Sequence, residues 1–221
     1  MYSPDGVVQL YTKRSKSYLR FVNAVAYPQG IRAYFKQSTH LKSGLRVLDA
    51  GCGTGIATLA LRRAMLDRQL QPGAINGFDI TPGMLEILGE KLKSLEIEGV
   101  EVVQADVLHL DTLPADWRDF DLIISAAMLE YLPSDRLVDA LSGLSSRLKK
   151  SGCIVLFISR KNWLMRFLIG NWWKANRYSQ TELVEYLKRA GFSNIVFTSF
   201  PFPYMHLSIW GNIVEARKLS V

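Results

Sequence analysis

The sequence predicts an α/β fold: a seven-stranded, mostly parallel sheet with helices on both faces and an antiparallel last strand. Three observations carry that expectation. Strand-like runs alternate with helix-like runs from residue 46 to residue 158. The strand-like runs are apolar almost throughout, as in strands covered on both faces. The last two such runs follow one another with no helix between them, so they read as antiparallel partners.

Residues 1–45 form a separate compositional zone, with Tyr2, Tyr11, Tyr18, Tyr27 and Tyr34 spaced along it. The spacing in SKSYLRFVNAVAY and GIRAYFKQ predicts one to three short helices ahead of the main fold. The strand at 46–50 leads into a helix at about 55–70, and the strand at 74–79 into a helix at 82–95. Thr81 and Pro82 suit the cap and first turn of that second helix. A strand at 100–105 runs into a linker ending at Pro114. The strand at 120–126 precedes a helix at about 134–149, with Ser134 as its cap, and a further strand spans 153–158. The helix at 179–190 has Ser179 or Thr181 as cap and stops at Gly191. Strands at 194–200 and 206–218 close the chain, joined through the turn around Pro201 and Pro203.

The 221 residues bound the chain to one domain with a small appendage. No stretch is long and apolar enough to span a membrane, and no cleavable leader is read, so the expectation is cytoplasmic. Cys52 and Cys153 have no paired spacing, and the scattered histidines and cysteines suggest no metal site. The net charge is +7, and the first forty-two residues hold seven Lys or Arg against one acid, Asp5. Two readings stand for that excess. One is a solvated helix face. The other is attraction to a phosphorylated metabolite, RNA or anionic lipid.

The turn VLDAGCGTG places glycines at positions 51, 53 and 55, directly after a strand and before a helix. Glycine supplies backbone freedom and close approach there. No lysine follows Gly55, which excludes a phosphate-gripping P-loop of the Walker type. No glycine holds the third place of a dinucleotide fingerprint either. Asp79 ends the second strand and suits a ribose diol, and Asp106 ends the third and suits an exocyclic amine. For each, a side chain capping its own loop is the alternative.

LDAGCGTG, GFDIT, QADVLHL, FDLIISAAMLEYLP and LKKSGCIVLFI together resemble the class I S-adenosylmethionine-dependent methyltransferases, over roughly residues 46–218. The resemblance implies a Rossmann-like sheet whose seventh strand is antiparallel, and S-adenosylmethionine as cofactor. Asp49, Gly51, Gly53 and Gly55 would surround the amino-acid end of the cofactor. Asp79 would hold the ribose, Asp106 and Val107 would meet the adenine, and Ser125, Ala126 and Met128 would line the site near the reactive methyl. Few catalytic side chains are needed, because the methyl is already activated. Glu130, Tyr131 and His206 are the candidates for a base, ahead of His40 and His109.

SAAM at 125–128 lacks the N/D-P-P-Y/F tetrad of nucleobase- and glutamine-directed members, and MLEYLP is similar to the small-molecule branch. In that branch a histidine often stands where this chain has Tyr131. The acceptor is therefore expected to be small and partly hydrophobic: lipid-like, quinone-like or an aromatic metabolite. Residues 1–45 are expected to form a substrate lid, and 46–221 the methyltransferase domain with a lid-like insertion at 159–178. That insertion carries five basic residues, no acid, and four of its aromatics within eleven residues. It reads as a packed connecting helix, a cover over a pocket, or an amphipathic segment in peripheral contact with an anionic membrane. An RNA methyltransferase or RNA-binding protein is one rival, and a non-catalytic methyltransferase-like interaction protein another.

Overall fold

A computed structural model describes residues 19–160, 176 and 178–219. The expectations for Tyr2, Tyr11 and Tyr18, and for most of the 159–178 insertion, fall outside these residues. Seven strands form one sheet: β1 (Val47–Ala50), β2 (Ile75–Asp79), β3 (Val100–Gln104), β4 (Phe120–Ala126), β5 (Leu148–Ser159), β6 (Phe192–Thr198) and β7 (Gly211–Lys218). Their order is β3-β2-β1-β4-β5-β7-β6. β1 to β5 pair in parallel. The last strand slots between β5 and β6 and runs antiparallel to both, as expected. The order reverses between β1 and β4, which opens a crevice at their carboxyl ends.

Among the described residues, five helices of eight or more residues cover the sheet: α1 (Tyr27–Gln37), α2 (Ile56–Asp67), α3 (Pro82–Ser94), α4 (Leu137–Arg147) and α5 (Gln180–Arg189). Alternate residues of each strand face opposite layers. Val47, Leu122, Ile124, Val155 and Phe157 meet α1 and α2. Leu48, Ile123, Ile154 and Leu156 meet α4 and α5. α3 reaches the first face through Leu88, packed with Cys52, Val100 and Val102.

The N-terminal segment is part of this core. Ile31 and Phe35 are fully buried, and Tyr34, Phe35 and Phe157 meet edge-on with ring centroids 5.1–5.7 Å apart. Burying side chains of that size contributes about 1.5–3 kcal/mol each. Arg32 and Asp67 then fasten α1 to the end of α2 across the surface.

Local chemistry corrects several boundaries. Ser134–Arg136 make a 3-10 turn before α4, so Ser134 is not the cap of that helix. Thr81 holds the N-cap position of α3 but makes no side-chain capping bond. Ser179 builds a full capping box with Glu182, and Gly191 follows α5 at φ +83°. β5 starts at Leu148, earlier than 153. The last strand starts at Gly211, because Tyr204–Ile209 is a 3-10 turn. Pro201 and Pro203 cannot donate to a ladder. The turn is held instead by the Phe200 N–H on Ser208 Oγ and by Leu207, buried against Gly30.

Candidate active site

The crevice at the carboxyl ends of β1, β2 and β4 is an open cleft. Its floor is the glycine turn. Gly51, Gly53 and Gly55 have φ of +74°, +50° and +81°, a region that L side chains rarely adopt. Space adds a second reason at two of them. A Cβ on Gly51 would stand 2.4 Å from Met128 Cγ, and one on Gly55 would stand 2.4 Å from Leu88 Cδ1. The Gly51 and Cys52 N–H groups both donate to the Phe78 carbonyl on β2, at 2.8 and 2.9 Å. Lys91 Nζ on α3 donates to the Thr54 carbonyl at 3.0 Å and fixes the far side of the turn.

Asp79 stands at the tip of β2 and lines the cleft. Its Oδ2 accepts the Gly53 N–H at 2.9 Å and its Oδ1 accepts the Thr81 N–H at 2.8 Å. These two donors fix the orientation of the carboxylate at the cleft. Burial raises its pKa above the ordinary value, against the donors from Thr81, Gly53 and Ile80. Asp106 lines the next part of the cleft with Val107, and its Oδ1 accepts the Leu108 N–H at 2.9 Å. The opposite wall is Ala126, Ala127, Met128, Tyr131 and Leu132, and Tyr27 reaches it from the start of α1.

The other expected residues stand behind these walls or away from them. Asp49 is fully buried; its Oδ2 accepts the Thr58 hydroxyl and ties β1 to the first turns of α2. Its Oδ1 has no partner among the described residues, and burial pushes its carboxyl up to about 7. Ser125 is buried and gives its hydroxyl to the Ala50 carbonyl at 2.8 Å, linking β4 to β1 below the cleft. Gly55 closes the turn through its N–H on the Cys52 carbonyl and acts through backbone shape.

Of the three base candidates, only Tyr131 lines the cleft. Glu130 points into the protein, where its Oε1 accepts the Ser159 hydroxyl at 2.8 Å and burial pushes its carboxyl up to about 7. His206 sits exposed on the Tyr204–Ile209 turn, 3.0 Å from the Val25 carbonyl. His109 is exposed beside Asp106, at 3.5 Å. His40 lies across the sheet in a network with Glu215 (2.7 Å) and Cys153 (3.7 Å), and Tyr34 joins Glu215 at 2.7 Å. Among the described residues no group of three or more His, Cys, Asp or Glu is placed to hold a metal.

The sequence reading missed Thr54, Ile80, Met84, Ala105 and Leu132 in the cleft, and Lys91 behind it. Each lies within a few residues of a quoted motif except Lys91. It looks like an ordinary cation in the last turn of α3 until the fold brings it to Thr54.

A glycine turn at the order reversal, braced by the carboxylate of the neighbouring strand, on a sheet with an antiparallel last strand, defines a class. The fold is that of the class I S-adenosylmethionine-dependent methyltransferases. Residues 47–152 match the sequence family described as a methyltransferase domain. The demethylmenaquinone methyltransferase of Staphylococcus aureus is 31% identical over 153 residues, 68% of this chain and 59% of that one. A chloroplastic 2-methyl-6-phytyl-1,4-hydroquinone methyltransferase of Oryza sativa is 28% identical over 151 residues, 68% of this chain and 40% of that one. The chain thus matches less than two thirds of the length of these curated relatives. In structure it is similar to the magnesium protoporphyrin IX methyltransferase of Synechocystis PCC 6803, solved with bound SAH. That likeness has a TM-score of 0.64 at 21% identity and covers 89% of this chain and 84% of the other.

Proposed function

We propose that this chain binds S-adenosylmethionine and methylates a small, partly hydrophobic acceptor with a quinone-like or other aromatic ring. The observation that carries the reading is the two-sided cleft. One side offers the glycine turn, Asp79 and Asp106. The other is apolar and aromatic, with Tyr27, Met128, Tyr131 and Leu132. The two curated relatives named above act, by their names, on demethylmenaquinone and on 2-methyl-6-phytyl-1,4-hydroquinone.

The residues that fit the cofactor are Asp79 for the ribose, Asp106 and Val107 for the adenine, and the glycine turn for the amino-acid end. The cofactor supplies a methyl already activated on a sulfonium. The chain's work is therefore orientation and exclusion of water. The fixed glycine turn and the braced Asp79 set position. The apolar wall grips a planar ring and strips its water. Tyr27 makes the N-terminal segment a wall of the acceptor pocket, which supports its reading as part of a substrate lid.

The test is incubation with methyl-labelled cofactor and fractionated cell extract. Label is expected in a lipid-soluble aromatic fraction. Label confined to RNA or protein would overturn the acceptor class. Asp79→Ala is expected to weaken cofactor binding by about 100-fold, the scale of losing two hydrogen bonds to a charged group. Unchanged affinity by calorimetry would overturn the cofactor site.

A further inference from the structure

The chain between β6 and β7 leaves the sheet at the same edge as the cleft. It carries large apolar side chains that stay exposed. Phe202 is 83% exposed, Met205 58% and Ile209 50%. Phe21, itself 38% exposed, stacks on Trp210 at 5.6 Å with an interplanar angle of 9°. Single exposed apolar residues are ordinary on a soluble protein, but several on one short turn mark a contact surface.

This tip is firmly mounted. Leu207 is buried at Gly30, the His206 ring meets the Val25 carbonyl, and Phe200 packs on Tyr27 with ring centroids 6.2 Å apart. Tyr27 in turn lines the cleft, so the tip stands beside the acceptor wall.

Charge selects the partner. Residues 19–46 and 199–214 contain no Asp or Glu. Arg20 adjoins Phe21, and Arg160, exposed, donates from its backbone to the Trp210 carbonyl at 2.9 Å. An apolar tip flanked by Arg20 and Arg160, with no acid in residues 19–46 or 199–214, matches an anionic bilayer, whose headgroups take the cations and whose acyl boundary takes the rings.

We propose that the Phe202–Ile209 tip, with Phe21 and Arg160, docks on an anionic membrane surface and holds the cleft mouth against the bilayer. A lipid-soluble acceptor then reaches the pocket without crossing water. The docking surface stands on the tip's own geometry; its purpose rests on the acceptor proposed above.

The test is flotation of the full chain with vesicles of phosphatidylcholine, with and without about 30 mol% phosphatidylglycerol. Binding is expected only with the anionic lipid, and it should weaken as salt rises. Phe202→Ser with Met205→Ser is expected to cut vesicle binding by at least about tenfold, with cofactor affinity by calorimetry unchanged. Arg160→Glu, which leaves the apolar tip intact, is expected to weaken binding to the anionic vesicles by several-fold. The proposal is overturned if the wild-type chain stays in solution, or if the double variant floats as the wild type does. It is also overturned if the double variant instead dissociates a dimer, which would assign the tip to a second copy. Vesicle binding without methyl transfer to any lipid would leave the docking surface standing and remove the acceptor assignment.

Discussion

The two sides of the cleft are built differently. The glycine turn and Asp79 come from short, contiguous stretches, and backbone hydrogen bonds of 2.8–2.9 Å lock them together. The acceptor wall is assembled from Tyr27 of α1, backed by the Phe200 ring before β7, and from Met128, Tyr131 and Leu132 after β4. Its contacts are apolar and adaptable. The same sheet edge thus carries a rigid half that suits one fixed ligand and a half that can be re-shaped without disturbing the core. Substitutions in the two halves should therefore separate cofactor binding from acceptor binding.

The largest effect is expected at Gly51. An alanine there meets two penalties: a left-handed backbone at φ +74° and a Cβ 2.4 Å from Met128 Cγ. Each costs about 1–3 kcal/mol. Gly51→Ala should lower stability in urea by a few kcal/mol and weaken cofactor binding at least about tenfold. Adding Met128→Ala should recover the steric part and leave the backbone part. Full recovery would show that the backbone conformation is not a constraint and would blur the contrast between the halves.

A smaller effect, on the other side, is expected from Tyr131→Ala. Losing a partly buried ring should raise the acceptor KM about tenfold. Cofactor affinity should stay within about twofold, since Tyr131 lies on the apolar wall. An equal loss on both ligands would break the division.

This division also explains what the sequence made legible. The succession of strands and helices needs only the alternation of apolar runs, and the cofactor side needs only LDAGCGTG and the acids at the next two strand ends, so both could be read locally. Asp49 and Ser125 were expected beside the ligand, yet they turn inward to Thr58 and Ala50. A polar residue next to a motif has the same sequence signal whether it faces the ligand or braces the turn from behind. Lys91 and Tyr27 reach their places through packing between elements far apart in the chain, which no local pattern encodes. The same holds for the last strand. An apolar run from 206 reads as strand, but two prolines and the burial of Leu207 fold its first residues into a 3-10 turn.

The smallest effect concerns how the N-terminal segment, which carries Tyr27, is held to the sheet. His40 joins Glu215 of β7 at 2.7 Å, and both side chains are mostly buried. Cys153 and Glu215 raise the imidazole from its ordinary 6.5 to about 9, and His40 in turn holds Glu215 below the usual carboxylate range. A histidine whose pKa is higher folded than unfolded contributes its full stability below 6.5 and loses it as pH rises through about 9. Glu215, depressed, loses its contribution only as pH falls through its lowered value. The stability difference between wild type and His40→Gln in urea should therefore be largest near pH 6, about 1–2 kcal/mol. It should shrink toward zero by pH 9.5, because the wild type then holds a neutral imidazole too. Cofactor affinity, set on the opposite side of the cleft, should not follow that profile. A difference constant from pH 6 to 9.5 would mean that His40 holds the segment by packing alone.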